Sequence, residues 1–219
     1  MNLTVAEENY IKSIYKLQDG DQVVSTNAIA YDLATKPASV TDMAKKLKEK
    51  KLIDYEKYQG ISLTTEGRKL ALQIVRRHRL WECFLVDKLS FSWDEVHEIA
   101  EELEHVRSEK LISRLSAFLG NPTTDPHGDP IPDAQGRISK SQPLISLDKA
   151  TARRLEVAGV SDQSSALLEF LNAKGIRLGT QLDLIERYEF DNSVEVKIRN
   201  QPAFTLSEQV SKNIMVKSL

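Results

Sequence analysis

Three of the four histidines in this 219-residue chain fall between His78 and His105, in the stretches RHRLWE and VHEIAEELEH. His78 and Glu82 are four residues apart. His97, Glu101, Glu104 and His105 follow at i, i+4, i+7 and i+8, so on helices each group shares one face. Two such helices facing each other would present three imidazoles and three carboxylates. Nitrogen and oxygen donors without thiolate suit Mn(II), Fe(II), Co(II) or Zn(II), and the weight of carboxylate tilts toward the harder ions. A lone His or Glu on a charged helix usually does nothing. Many ligands clustered on otherwise apolar faces are different, because buried charge is costly without a partner and a metal ion is one. His127 lies apart, in a proline-rich stretch, and reads as an ordinary loop residue.

The same groups could serve a di-metal oxidase or hydrolase. A ferritin-like site wants Glu-x-x-His on two separate helices. Glu102 and His105 form one such pair, but the nearest repeat, Asp94 and His97, lies on the same helix. There is no His-Glu-x-x-His, no nucleophile elbow and no glycine-rich phosphate loop. The reading is therefore a binding protein, not an enzyme.

The elements that must position these ligands form a mainly α chain with some β. Tyr10, Ile11, Ile14, Tyr15 and Leu17 repeat with helical spacing, ending near Asp19-Gly20. Ser25-Thr26-Asn27 offers an N-cap for a short helix over 28–34. Pro37 suits the first position of a second helix, about 38–50, with Val40, Met43, Ala44 and Leu47 on one face. Two strand-like runs follow around Tyr58-Gln59-Gly60. Two helices, a tight turn and a hairpin predict a winged helix-turn-helix over 1–64. Residues 65–119 are almost continuously helical in pattern, opening at Thr64 or Thr65. A capping box of Ser92 and Glu95 starts another long helix. Five of the seven prolines fall between Pro122 and Pro143, so 121–143 reads as an extended connector. Residues 144–219 read as a small β-rich domain with a helical segment near Ser164–Ala173.

Net charge is −2, so nucleic-acid binding needs local clusters. Between Lys36 and Lys51 stand six lysines against Asp42 and Glu49. Lys36, Lys45 and Lys46 would meet phosphates. Pro37, Ala38, Ser39 and Thr41 are small or hydroxylic and suit a helix entering a major groove. The alternatives are a solvated lysine face, and a winged helix that contacts only protein. Cys83 is the one cysteine, which suits a reducing cytoplasm. No apolar run reaches membrane-spanning length and the first residues carry no apolar signal core, so neither membrane nor export is expected.

The motifs EENYIKSIYKL, PASVTDMAKKLKEKKLI, YEKYQGISLTTEGRKLA, RRHRLWECFL, EVHEIAEELEHVRSEKL and GNPTTDPHGDPIP occur in the order seen in the iron- and manganese-dependent repressors of the diphtheria-toxin-repressor and manganese-transport-regulator type. The chain resembles that family over nearly its whole length. The resemblance implies a homodimer on double-stranded operator DNA, a helical dimerisation domain over 65–120, and an SH3-like β-barrel over 144–219. It also implies up to two metal ions per subunit. His78, Glu82 and His97 look like one site, and Asn9, Glu101, Glu104 and His105 the other. Family members of the iron branch carry methionine and cysteine where this chain has Asn9 and Glu101. The short manganese branch carries acidic residues where this chain has Asn9 and Lys12. Oxygen in place of sulfur favours Mn(II), with Fe(II) second. Asp162 and Gln163 are candidates for further oxygen ligands from the SH3-like domain.

Overall fold

Thr4 starts the first helix with a reciprocal capping box. Its hydroxyl accepts from the Glu7 amide at 3.2 Å, and the Glu7 carboxylate accepts from the Thr4 amide at 2.8 Å. The computed structural model describes residues 3–20, 22–56, 59–138 and 143–219. They fall into two units. One comprises Met1–Trp81, Ala100–Asn121 and Ile131–Ile138, the other Glu82–Ile99, Pro122–Pro130 and Ser139–Leu219.

In the first unit α1 (Val5–Leu17) buries Ile11 and Ile14. Ser25 caps α2 (Thr26–Asp32), accepting from the Ala28 amide at 3.1 Å. Ala34 takes a left-handed φ of 47° in the turn that follows. Lys36 is extended, as the residue before a proline must be, and Pro37 opens α3 (Pro37–Glu49). Val40, Ala44 and Leu47 are buried as their spacing predicts, while Met43 packs at the core's edge. The hairpin of β1 (Ile53–Glu56) and β2 (Gly60–Leu63) pairs Ile53 with Leu63 and Glu56 with Gly60. Of the expected turn residues, Tyr58 lies outside the described residues. Thr64 caps α4 (Thr65–Leu89), accepting from the Gly67 amide at 3.1 Å. Gly67 permits this close approach, since a Cβ there would sit 1.9 Å from the Leu52 carbonyl oxygen.

The helical block is more broken than its pattern implies. Ser92 does not open a long helix. The Glu95 carboxylate accepts from the Ser92 amide at 2.9 Å, but the Ser92 hydroxyl is taken by Asp94 and by the Asn172 amide. The next helix, α5 (Val96–Leu103), is only eight residues long. It stops because Arg77 Nε captures the Glu104 carbonyl at 2.5 Å. Ser108 then caps α6 (Glu109–Phe118). Helices α4 and α5 each contribute residues to both units.

The second unit is built on an antiparallel six-stranded sheet of order β3-β8-β4-β5-β6-β7. Its strands are β3 (Ile145–Ser146), β4 (Arg154–Val160), β5 (Gln181–Arg187), β6 (Val194–Ile198), β7 (Phe204–Leu206) and β8 (Ile214–Ser218). Between β4 and β5 lies α7 (Ser165–Ala173), where the sequence places a helical segment. The short α8 (Glu208–Ser211) precedes β8. Leu155, Val157, Leu182, Val196 and Val216 from the strands, Leu168 and Leu171 from α7, and Trp93 make one core. Part of the proline-rich stretch is folded into this unit. Gly128, at φ +92°, lies so close to β4 that a Cβ would stand 2.2 Å from the Ala158 carbonyl oxygen. The His127 carbonyl accepts from the Val160 amide at 3.0 Å.

Candidate metal centre

In the first unit, α1, α4 and the end of α5 converge on Glu104, which is fully buried. Its carboxylate accepts from His78 Nδ1 at 2.7 Å and from Lys12 Nζ at 2.8 Å, and Lys12 also reaches Glu101 at 2.6 Å. Burial pushes the Glu104 carboxyl up, but the His78 hydrogen bond and the Lys12 charge outweigh it and hold it below the ordinary carboxylate range. A carboxylate only accepts, so His78 Nδ1 carries a proton and donates to Glu104. Asn9 Oδ1 is buried and has no hydrogen-bond partner, a costly arrangement unless a cation claims it.

His105 is placed differently from Glu101 and Glu104. Its Nδ1 faces Glu8 Oε2 at 2.7 Å, and Glu8, 2% exposed, also pairs with Arg77 and Arg107 at 3.1 Å each. Among the described residues, Glu101, Glu104 and His105 do not bring three ligand atoms within 4.8 Å of one another. The sequence reading missed Glu8. The only signal the sequence holds for it is an acid one helical turn before Lys12.

In the second unit Glu82 is 1% exposed and attracts two histidines. His97 Nδ1 lies 3.5 Å away and His127 Nδ1 3.8 Å away. His127 is not an ordinary loop residue. It is fully buried, stacks on Trp93 at 6.0 Å, and its Nε2 donates to the Trp93 carbonyl at 2.8 Å. That bond fixes the tautomer, leaving Nδ1, which has no hydrogen-bond partner, directed at Glu82. Burial opposes protonation of this ring, but Glu82, then Asp125 and the Trp93 carbonyl, outweigh it and raise its pKa. Asp125, buried beside it, accepts from the His127 and Asp129 amides at 2.8 and 2.9 Å. Glu82, Asp125 and His127 each offer a ligand atom, all within 4.8 Å of one another. Asp162 accepts from the Ser164 amide, while Gln163 donates to Asp129 at 3.1 Å.

The residues expected to meet DNA lie on the outer face of α3. Lys36, Pro37, Ala38, Ser39, Lys45 and Lys46 are exposed, and Thr41 is half-buried, its hydroxyl donating to the Pro37 carbonyl at 3.1 Å. Lys45 pairs with Asp42 at 3.1 Å, an exposed contact too weak to remove it from solvent.

A helical DNA-reading unit leading into helices lined with imidazoles and carboxylates defines a metal-dependent transcriptional regulator. Residues 2–61 match the iron-dependent repressor N-terminal DNA-binding domain, residues 64–133 the iron-dependent repressor metal-binding and dimerisation domain, and residues 146–218 the FeoA domain. The structure resembles a manganese-dependent transcriptional repressor solved in complex with manganese, at 37% identity and TM-score 0.86, covering 97% of this chain and 100% of that one. It also resembles the manganese regulator SloR, at 30% identity and TM-score 0.74, covering 97% and 98%. The iron-dependent repressor IdeR of Mycobacterium leprae is 36% identical over 131 residues, 60% of this chain and 57% of that protein. The diphtheria toxin repressor of Corynebacterium efficiens is 27% identical over 84% of each. The chain thus spans little more than half the length of the IdeR proteins it matches. It belongs to the iron-dependent repressor family, of diphtheria-toxin-repressor type, whose members are transcriptional repressors and not enzymes. No described helix is long and apolar enough to cross a membrane.

Proposed function

We propose that this chain is a metal-activated, homodimeric repressor of metal-homeostasis genes that acts in the cytoplasm. Residues 1–64 read DNA, 65–120 bind metal and pair the subunits, and 144–219 carry the FeoA domain. The observation that carries this reading is the fully buried Glu104 carboxylate, together with a buried, unpartnered Asn9 Oδ1 on α1. One metal site comprises Asn9, Glu101, Glu104 and His105. Its oxygen and nitrogen donors, without sulfur, favour Mn(II) first and Fe(II) second. A divalent cation there ties Asn9 on α1 to Glu101 and Glu104 at the end of α5. Asn9 is the donor from α1, and Glu104, held by His78, is the fixed anchor. With α1 tied, the two α3 helices of a dimer are held about 34 Å apart for a palindromic operator.

The second ion is held at Glu82. The resemblance gives it His78, Glu82 and His97. The buried group of Glu82, Asp125 and His127 favours a second reading, in which His127 Nδ1 and Asp125 complete the site. Metal content after dialysis separates them. Loss of one Mn(II) per subunit in H97A but not H127A supports the first set, and the reverse supports the second. For the function itself, Glu104→Ala is expected to abolish metal-dependent operator binding. Unchanged binding would sink the reading.

A further inference from the structure

Lys12 is the feature of this site that a plain metal centre does not need. Its ammonium lies 2.6 Å from Glu101 and 2.8 Å from Glu104, on the carboxylates through which Glu101 and Glu104 would ligate a cation. Glu104 is fully buried and Lys12 is only 19% exposed, so the pair is shielded from salt and water. On α1, Lys12 stands three residues after Asn9, on the same face one turn along.

We propose that Lys12 is a built-in competitor that sets the metal threshold: its ammonium and the divalent cation contend for the Glu101 and Glu104 oxygens, so the cation binds only by displacing it. The inference rests on Asn9, Glu101, Glu104 and His105 forming a metal site. The charges balance in the exchange, since one ammonium already neutralises part of the pair and the incoming ion must replace that attraction before adding its own. The long, flexible lysine stem permits withdrawal to solvent without moving α1. The bonds surrendered are charge-assisted, which makes the expected penalty on metal affinity about tenfold.

The test is a Mn(II) titration of the full chain, followed by the electron paramagnetic resonance signal of free Mn(II), for wild type, K12M, K12Q and E104Q. The proposal expects K12M and K12Q to bind one of the ions about tenfold more tightly than wild type. It also expects their chelator-treated forms to melt below wild type, with the deficit abolished or reversed by saturating Mn(II). Unchanged or weaker binding in both variants would overturn it, as would an equal melting deficit with and without Mn(II), the mark of a merely structural lysine. E104Q separates the two levels. If it loses one Mn(II) while the Lys12 variants bind as wild type, the lysine proposal alone fails. If E104Q keeps its full complement, the metal site and the proposal fall together.

Discussion

Glu104 and Cys83 show how the surroundings of one side chain decide its chemistry. Glu104 is ionised despite complete burial because His78 and Lys12 supply the partners that water no longer can. Glu104→Gln keeps the shape and removes the charge, so it should lose one Mn(II) per subunit without unfolding the chain, as read by metal analysis and circular dichroism. Cys83 shows the opposite outcome. Burial first, then the negative charges of Asp125, Asp87 and Glu82, push its thiol far above the ordinary range. A thiol held protonated is a poor nucleophile and a poor ligand. Ellman's reagent should leave Cys83 unmodified in the native protein at pH 8 and react fully in guanidinium; rapid native reaction would contradict this placement. The sulfur-free ligand set is therefore a property of the fold as well as of the composition.

At the scale of elements, periodicity and caps located most of the fold. The face of α3 follows from the spacing of Val40, Ala44 and Leu47, and its start from Pro37. Thr64 was one of two offered caps for α4, and the hydrogen bond to Gly67 selects it. The long helix expected from Ser92 failed for reasons no local pattern holds. The Ser92 hydroxyl is claimed by Asn172, 80 residues away, and Arg77 removes a carbonyl at the end of α5. His127 was misjudged for the same reason. Prolines around it signal a loop correctly, but its burial depends on Trp93 and on Gly128 against β4. Gly128→Ala should therefore lower the stability of this unit by about 2 kcal/mol or more, because the new Cβ meets backbone and the positive φ is strained. A denaturation midpoint equal to wild type would show that the backbone there relaxes easily. On α3, Lys45→Ala with Lys46→Ala should weaken operator binding at every sequence. It should also flatten the salt dependence by roughly 0.9 in log–log slope for each phosphate no longer neutralised. Ser39→Ala should instead alter base preference with little change in slope.

For the whole molecule, the family assignment joins DNA-binding, metal-binding and dimerisation functions in one chain, and the proposed link between them is the metal. A switch from mostly off to mostly on requires a differential affinity of about 5.5 kcal/mol, within reach of several metal–ligand bonds. The measurement that bears most directly on this coupling is fluorescence anisotropy of a labelled duplex from the gene's own upstream region, titrated with protein at fixed salt, with chelator and then with Mn(II) or Fe(II). Metal activation predicts tight, saturable binding with metal and a weakening of about a hundredfold or more with chelator, which Glu104→Ala also produces in the presence of Mn(II). Equal affinity with and without metal would contradict it and leave a DNA-binding protein whose metal is only structural.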